Sequence, residues 1–438
     1  MAEHFSSMLR ALVGMGVFLA ICWACSENRR RINWRLVAGG MALQIVLALL
    51  VLRAPFVADA FRGVAAFFVT LLDFSRAGAE FLFAGLVTNT ETFGFIFAVQ
   101  VLPTIIFFAA FSSILYYLGI LQRVVFAFAW MMKKTMRLSG AESLATAANI
   151  FIGQTEAPLV IRPYLAAMTR SEVMTLMAGG MATIAGGVFV SYIGMLGGSD
   201  EVARLEFAKH LLTASIISAP AAIVAAKMLV PETAAVNEAL EVPRDRIGAN
   251  VLDAAVIGTS DGVKLAVNVA GALLAFTALV ALVNWILSAG LGAIPLGGGM
   301  SVNALIAERS GGAYATLSLQ FILGTLFAPV AWLIGVSPGD WMAVGQLLGE
   351  RLVLNEFFAY DTLAKMKASG VITDHRSILI ATYALCGFAN LVSMGIQVGG
   401  IGALVPGQRP VLASLAFKAM IAGTVACLLT ACVAALLA

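Results

Sequence analysis

The amino-acid sequence predicts an all-α protein embedded in a membrane. Three observations predict it. The chain of 438 residues is 61% hydrophobic and only 12% charged, whereas a soluble globular chain is about 25% charged. Its mean hydropathy is +0.96, and a water-soluble fold this apolar would expose greasy patches and aggregate. Its apolar residues also come in runs about as long as the roughly 20 residues that carry a helix across a bilayer. The clean runs are Met8 to Cys25, Val37 to Leu52, Phe93 to Leu118, His210 to Leu229, Ala266 to Ser288 and Val411 to Ala438.

The first run has the apolar core of a signal peptide, but Arg29, Arg30 and Arg31 follow it directly and no small-residue cleavage site precedes them. It is read as a retained span. The loop holding those arginines and Arg35 is placed in the cytoplasm, because short basic loops stay inside. Counting on from there, the loop with Arg123, Lys133, Lys134 and Arg137 is cytoplasmic too. Ile120 to Met132 is too short to span and reads as an amphipathic helix in the interface plane. Pro231 to Lys264, with Glu238, Glu241, Arg244, Asp245 and Arg246, is a hydrophilic connector between two halves. The net charge of +3 gives no reason to expect nucleic acid. Cys22, Cys25, Cys386, Cys427 and Cys432 all fall in apolar segments. They suggest neither a zinc site nor a disulfide framework.

The halves echo each other. In the first, Asn149 through Pro158 precedes a polar break at Thr169 to Glu172 and then a Gly-rich apolar segment ending at Gly194. In the second, Leu354-Asn355-Glu356-Phe357-Phe358 precedes a break at Lys367 to Arg376 and then Phe388 to Gly395. Interrupted segments at matching positions of two repeats are the signature of secondary transporters and point to the binding site.

Glu156 and Glu356 are ionisable residues in apolar surroundings. Such a residue costs about 2.5–3.5 kcal/mol at membrane depth and is functional by default. The competing reading is a Glu at a helix end that reaches the interface. Gly153 and Pro158 flank Glu156 and favour an irregular hairpin tip, which is tolerated at that depth only where it lines a cavity. Gln154, Thr155 and Glu156 would there offer donors and acceptors side by side, suiting an uncharged, hydrogen-bonding solute. Asn390 and Ser393 share a helical face, and Phe388 adds a flat apolar surface. Ordinary helix–helix hydrogen bonding is the alternative for that pair. His4, His210 and His375 are scattered and no HExxH, GxSxG or Walker run is present, so an enzyme or a nucleotide-driven pump is not expected. No Arg or Lys is expected to face the site, which disfavours amino acids and other anionic solutes.

On these motifs the sequence resembles the concentrative nucleoside transporters. The matching stretches are Gly153-Gln154-Thr155-Glu156-Ala157-Pro158-Leu159, Ser318-Leu319-Gln320 through Gly335, Leu354-Asn355-Glu356-Phe357, and Cys386-Gly387-Phe388-Ala389-Asn390 with Gly395-Ile396-Gln397. Gly258-Thr259-Ser260-Asp261-Gly262 also matches. The resemblance implies about eight transmembrane helices, two re-entrant hairpins in inverted repeats, and interfacial helices. Residues 1–119 would be mostly scaffold and 120–230 the first transport repeat. Residues 231–312 would hold the connector and a scaffold span, and 313–438 the second repeat. Leu317 to Val336 would lie along the outer surface, which leaves Lys365, Lys367 and Arg376 outside against the positive-inside rule.

The resemblance also implies roles. Gln154, Thr155 and Glu156 would bind the nucleobase, with Val188 packing on it. Glu356, Asn390 and Ser393 would bind the ribose hydroxyls, and Phe388 would line the same pocket. A coupling Na+ would be held by side-chain oxygens of Asn149 and Thr183 and by the carbonyls of Ile152 and Ile184. Proton coupling through Glu156 or Glu356 is the alternative. The implied assembly is a homotrimer in the lipid of a bacterial inner membrane, working by alternating access with no other cofactor.

Overall fold

The computed structural model describes residues 2–93, 96–154, 156–198, 200–237, 248–296, 300–310 and 312–437. The connector acids and arginines from Glu238 to Arg246 lie outside the described residues. The described chain is helical, with no strand and one isolated bridge, Pro295 to Ser301.

The helices that matter here are α1 (Ala2–Ala24), α2 (Trp34–Arg53), α3 (Pro55–Phe83), α4 (Leu102–Tyr117), α5 (Ile120–Met136) and α6 (Gly140–Asn149). Next come α7 (Arg170–Ala182), α8 (Gly186–Gly197), α9 (Glu201–Leu229) and α10 (Val251–Ala289). The last are α11 (Leu319–Leu333), α12 (Trp341–Val353), α13 (Glu356–Ala368), α14 (His375–Leu385), α15 (Leu391–Leu404) and α16 (Arg409–Leu437).

Among the described residues seven helices are long and apolar enough to cross a membrane. One of them, α3, was not expected as a span. Asp59, Arg62, Asp73, Arg76 and Glu80 interrupt its apolar residues, and exposed Asp59–Arg62 and Arg76–Glu80 pairs lie along it. The other six, with two broken pairs, make the expected eight. The pairs are α7 with α8 (13 and 12 residues) and α14 with α15 (11 and 14 residues). None of these four reaches the roughly 20 residues of a full crossing. The connector is shorter than its hydrophilicity suggested. Asn250 accepts from the Asp253 N–H at 2.9 Å and starts α10, which absorbs 251–264.

Local chemistry sets the helix ends. Ser139 and Glu142 form a reciprocal capping box on α6, and Thr169 and Glu172 form one on α7. The left-handed Gly119 and Arg137 bound α5. Its Val125, Ala129, Met132 and Met136 make the buried stripe of an amphipathic helix lying against α6. The core centres on α9 and α16, packed on each other and on α7. Both are apolar nearly all round, and the apolar stretch of α9 is buried throughout. Polar ties cross this core, with Gln44 donating to Thr430 at 3.0 Å and Ser218 bonded to Thr430 at 2.9 Å.

The order interfacial helix, hairpin, broken span, long helix occurs twice. It runs α5, α6 with 150–168, α7, α8, α9, and again α11, α12 with α13, α14, α15, α16. Ion pairs and hydrogen bonds mark the two ends of the bundle. At one end Glu27 joins Arg170 (2.9 Å) and Lys418 (2.7 Å), and Lys227 joins Glu142 and Glu232. At the opposite end Arg376 meets His4, and His375 meets Glu206 at 3.0 Å. The basic loop of the second hairpin therefore lies at the other end of α1 from Arg29–Arg31. Its cations serve helix ends: Lys367 donates to the Leu196 carbonyl in the last turn of α8 at 2.9 Å, and Arg376 donates to Ala435 in the last turn of α16.

Candidate functional site

The first hairpin reverses over residues 150–156, and its second arm resumes only as single turns, Ala157–Val160 and Arg162–Leu165. Pro158 fits a first helical turn, where its missing N–H leaves no bond unmade. The second hairpin reverses at Leu354 and Asn355. The Asn355 side chain caps α13 by accepting from Phe358 N–H at 2.9 Å. Glu356 thereby becomes the first residue of a helix, where the positive end of the dipole favours a carboxylate.

A hydrogen-bonded chain joins the repeats. Gln397 donates to the Gln154 amide oxygen at 2.9 Å, and Gln154 donates to the Ser393 hydroxyl at 3.2 Å. The Ser393 N–H donates to Asn390 at 2.8 Å, capping α15, and the Asn390 amide donates to Glu356 at 2.8 Å. Gln154, Glu356, Asn390, Ser393 and Gln397 are all buried. Four hydrogen bonds link the chain, and the Gln397 side-chain oxygen at its end has no partner among the described residues.

One glycine leaves room for the chain itself and a second for the break beside it. A Cβ at Gly180 would sit 2.7 Å from Gln397 Nε2 and 2.9 Å from Gln154 Cβ. Gly387, in the break between α14 and α15, has φ +148°, and a Cβ there would meet Cys427 Sγ and Met181 O at 2.7 Å. A side chain at Gly387 is excluded by conformation and by space.

The remaining predicted residues fall around this chain. Val188 is buried in the first turn of α8, and Phe388 is buried in the break before α15. Glu156 is exposed at the hairpin tip, unlike Glu356. Its carboxylate folds back over Gly153, where a Cβ would collide with it. Thr155 lies outside the described residues. An apolar cavity of about 640 Å³ between α3, α4 and α10, lined by Phe74, Leu82, Phe107 and Leu274 among others, contains none of the predicted site residues.

At the other side of the first hairpin tip, residues 149–152 run beside the break between α7 and α8. The Thr183 hydroxyl is within 2.7 Å of Asn149 O and 2.9 Å of Gly179 O, and Gly186 N–H donates to Phe151 O at 3.2 Å. Asn149 is 1% exposed, and neither its side-chain oxygen nor its nitrogen has a hydrogen-bond partner among the described residues. Leaving such a group unpaired costs about 1–3 kcal/mol. Ile152 and Ile184 are buried at the same two stretches. The oxygens available here suit a hard cation.

Three residues of the region were given no role in the sequence reading, although Gln397 lies in one of the matching stretches. Gln397 is four residues after Ser393, on the same face of α15, and that spacing was the available signal. Tyr192 stacks on Tyr360 (4.1 Å between centroids) and meets Phe357 edge-on (5.2 Å), packing α8 of the first repeat against α13 of the second. Arg351 corrects the expectation that no basic residue belongs near the site. It is 2% exposed, five residues before Glu356, and donates to Ala384 O at 2.8 Å.

Comparison with known proteins agrees with this architecture along nearly the whole chain. Residues 13–86 and 210–435 match the N- and C-terminal parts of the Na+ dependent nucleoside transporter family, and 98–199 match a nucleoside recognition (Gate) domain. The chain is 40% identical to an uncharacterized transporter of Haemophilus influenzae over 98% of both. It is 38% identical to sodium/nucleoside cotransporter 1 of Rattus norvegicus over 98% of this chain, and spans 64% of that protein's length. Among solved structures it is similar to CNTnw in an inward-facing substrate-bound state, with 38% identity, 98% coverage of each chain and a TM-score of 0.86. A substituted CNTnw in an outward-facing state matches with 36% identity over 98% of this chain and 97% of that one, at a TM-score of 0.84. Two halves with matched hairpins and broken spans, a buried polar chain joining them, and identity at this level over this length lead to one conclusion: the chain belongs to the concentrative, Na+ dependent nucleoside transporter family.

Proposed function

We propose that this chain takes up nucleosides by symport with Na+. The observation that carries the reading is the buried chain from Gln397 through Gln154, Ser393 and Asn390 to Glu356. It brings one amide-bearing hairpin and one carboxylate-bearing hairpin to a common point. A carboxylate can accept from two vicinal hydroxyls through charge-assisted bonds, the strong class of hydrogen bond. Glu356, Asn390 and Ser393 bind the ribose. Gln154, Thr155 and Glu156 bind the base by exchanging the Gln154 contacts, with Val188 and Phe388 as apolar walls.

Na+ is held by the side-chain oxygens of Asn149 and Thr183 with the carbonyls of Ile152 and Ile184. Its charge steadies the first hairpin tip against the broken span beside it. The unpartnered Asn149 supports this reading over proton coupling through a carboxylate. The hairpins and broken spans then move, closed around solute and ion, against a scaffold of α1, α2, α4 and α10. The apolar exposed face of α10, with Leu274 and Trp285, suits the centre of a homotrimer in a bacterial inner membrane.

The test is uptake of labelled uridine or adenosine into proteoliposomes by Glu156→Gln and Glu356→Gln chains that remain monodisperse in detergent. Both are expected to lose uptake. Normal uptake by either removes that residue from the site.

A further inference from the structure

Among the described residues three tyrosines are fully buried, Tyr192, Tyr360 and Tyr383. A buried tyrosine hydroxyl usually finds a hydrogen-bond partner, and two of the three do. Tyr360 donates to Thr382 O at 2.8 Å, and the Tyr383 hydroxyl bonds to His210 Nδ1 at 3.0 Å. The Tyr192 hydroxyl makes no hydrogen bond of ordinary length and angle among the described residues. Such a group has lost water and gained nothing in exchange, which destabilises the fold that holds it.

Its surroundings point to what the hydroxyl serves. Tyr192 stands four residues after Val188 in α8, on the same helical face. Its ring stacks on Tyr360, with 4.1 Å between centroids and 29° between planes, and meets Phe357 edge-on at 5.2 Å. Phe357 follows Glu356 directly, and Tyr360 is one helical turn further along α13. The phenol of the first repeat therefore lies against the turn of the second repeat that begins with Glu356. Its hydroxyl is within electrostatic reach of the Glu356 carboxylate. That carboxylate already accepts from Asn390 at 2.8 Å. A carboxylate offers about four acceptor positions on its two oxygens, enough for Asn390, a phenol and two ribose hydroxyls together.

We propose that Tyr192 is a positioning residue for Glu356 and sets the preference for a sugar bearing both hydroxyls. The two aromatic contacts hold the phenol still. When the 2′- and 3′-hydroxyls of a nucleoside donate to Glu356, the carboxylate turns, and the Tyr192 hydroxyl donates to it and fixes the turned form. The hydroxyl is unsatisfied without nucleoside and satisfied with it, so its whole gain appears on binding. The inference rests on the reading of Glu356 as the ribose site.

The experiment uses Tyr192→Phe, which keeps the ring and removes the hydroxyl. Binding of labelled uridine, and its competition by 2′,3′-dideoxyuridine, is measured on native and Tyr192→Phe chains in detergent with Na+ present. Thermal unfolding is recorded without nucleoside. Tyr192→Phe is expected to weaken uridine about 10-fold, the loss of one hydrogen bond to a charged group, and to leave 2′,3′-dideoxyuridine unchanged. It is expected to unfold at the native temperature or above it, because an unsatisfied buried hydroxyl is gone. In a Glu356→Gln chain the same substitution is expected to add no further loss, since effects exerted through a shared partner are not additive. Equal weakening of both nucleosides, unchanged uridine affinity, or a further loss in the Glu356→Gln chain overturns the proposal. So does a lower unfolding temperature, or failure of Tyr192→Phe to fold, either of which makes the hydroxyl structural. A native chain that binds uridine no more tightly than 2′,3′-dideoxyuridine overturns the ribose reading of Glu356 and this inference with it. A native chain that prefers uridine, with Tyr192→Phe preferring it as strongly, overturns this inference alone.

Discussion

Glu356 shows what burial does to one carboxylate. It is 3% exposed, begins a helix, and accepts from Asn390 at 2.8 Å. Glutamine keeps the shape and removes the charge. Glu356→Gln is expected to lower nucleoside affinity about 10–100-fold, the loss of one charge-assisted hydrogen bond, measured by calorimetric titration of the folded variant. Gly387 is a second residue whose identity is forced. Gly387→Ala must hold a side chain at φ +148° against Cys427 and Met181, a strain of about 1–3 kcal/mol that thermal unfolding would register. Much of the buried polar chain was legible at this scale. Glu356, Asn390 and Ser393 stand out because polar residues are costly where everything around them is apolar, whereas Glu156, singled out on the same ground, lies exposed at its hairpin tip. Gln397 and Arg351 did not stand out, because both lie on helices whose inward face is fixed only by packing.

At the scale of elements, ion pairs tie helix ends together and differ greatly in burial. The side chains of Lys227 and Glu142 are 7% and 2% exposed. Lys227→Met leaves Glu142 buried at the head of α6 without its cation and is expected to cost about 3–5 kcal/mol. Arg62→Ala, which breaks an exposed pair on α3, is expected to cost less than about 0.5 kcal/mol. Thermal unfolding of the two variants side by side checks the contrast. Glu27 adds a pH signature. The Arg170 guanidinium beside it, helped by Lys418, lowers its pKa from 4.5 to about 2 against the opposing effect of burial. The folded pKa is depressed, so its contribution is complete above pH 4.5 and is lost as pH falls through about 2. The partners are largely solvated, so the contribution stays below about 1 kcal/mol. Arg170→Gln should flatten the acid limb of the unfolding curve in that window. The amphipathic α5 was legible as an element, from its length and its bounding basic residues. The charges along α3 hid it as a helix, and the start of α10 was hidden because hydrophilic residues continue into its first turns.

At the scale of the molecule, the two repeats build one buried polar chain because neither completes it alone. The first contributes Gln154 and the aromatic face of Tyr192. The second contributes Glu356, Asn390, Ser393 and Gln397, and α9 and α16 bind the repeats together through the core. The repeat was legible in the recurrence of Glu, break and Gly-rich segment. The way the repeats interlock was not, because it depends on contacts between residues some 240 positions apart, such as Gln154 with Ser393. Opposite placement of the basic loops, which the positive-inside rule argued against, follows from cations serving the C-termini of α8 and α16.

Accumulation of labelled uridine or adenosine in proteoliposomes holding the native chain is the most direct test of Na+-coupled nucleoside uptake. An inward Na+ gradient should drive the nucleoside above its external concentration, and choline at the same pH should abolish this. Equal accumulation in Na+ and choline, or none of either nucleoside, would contradict it.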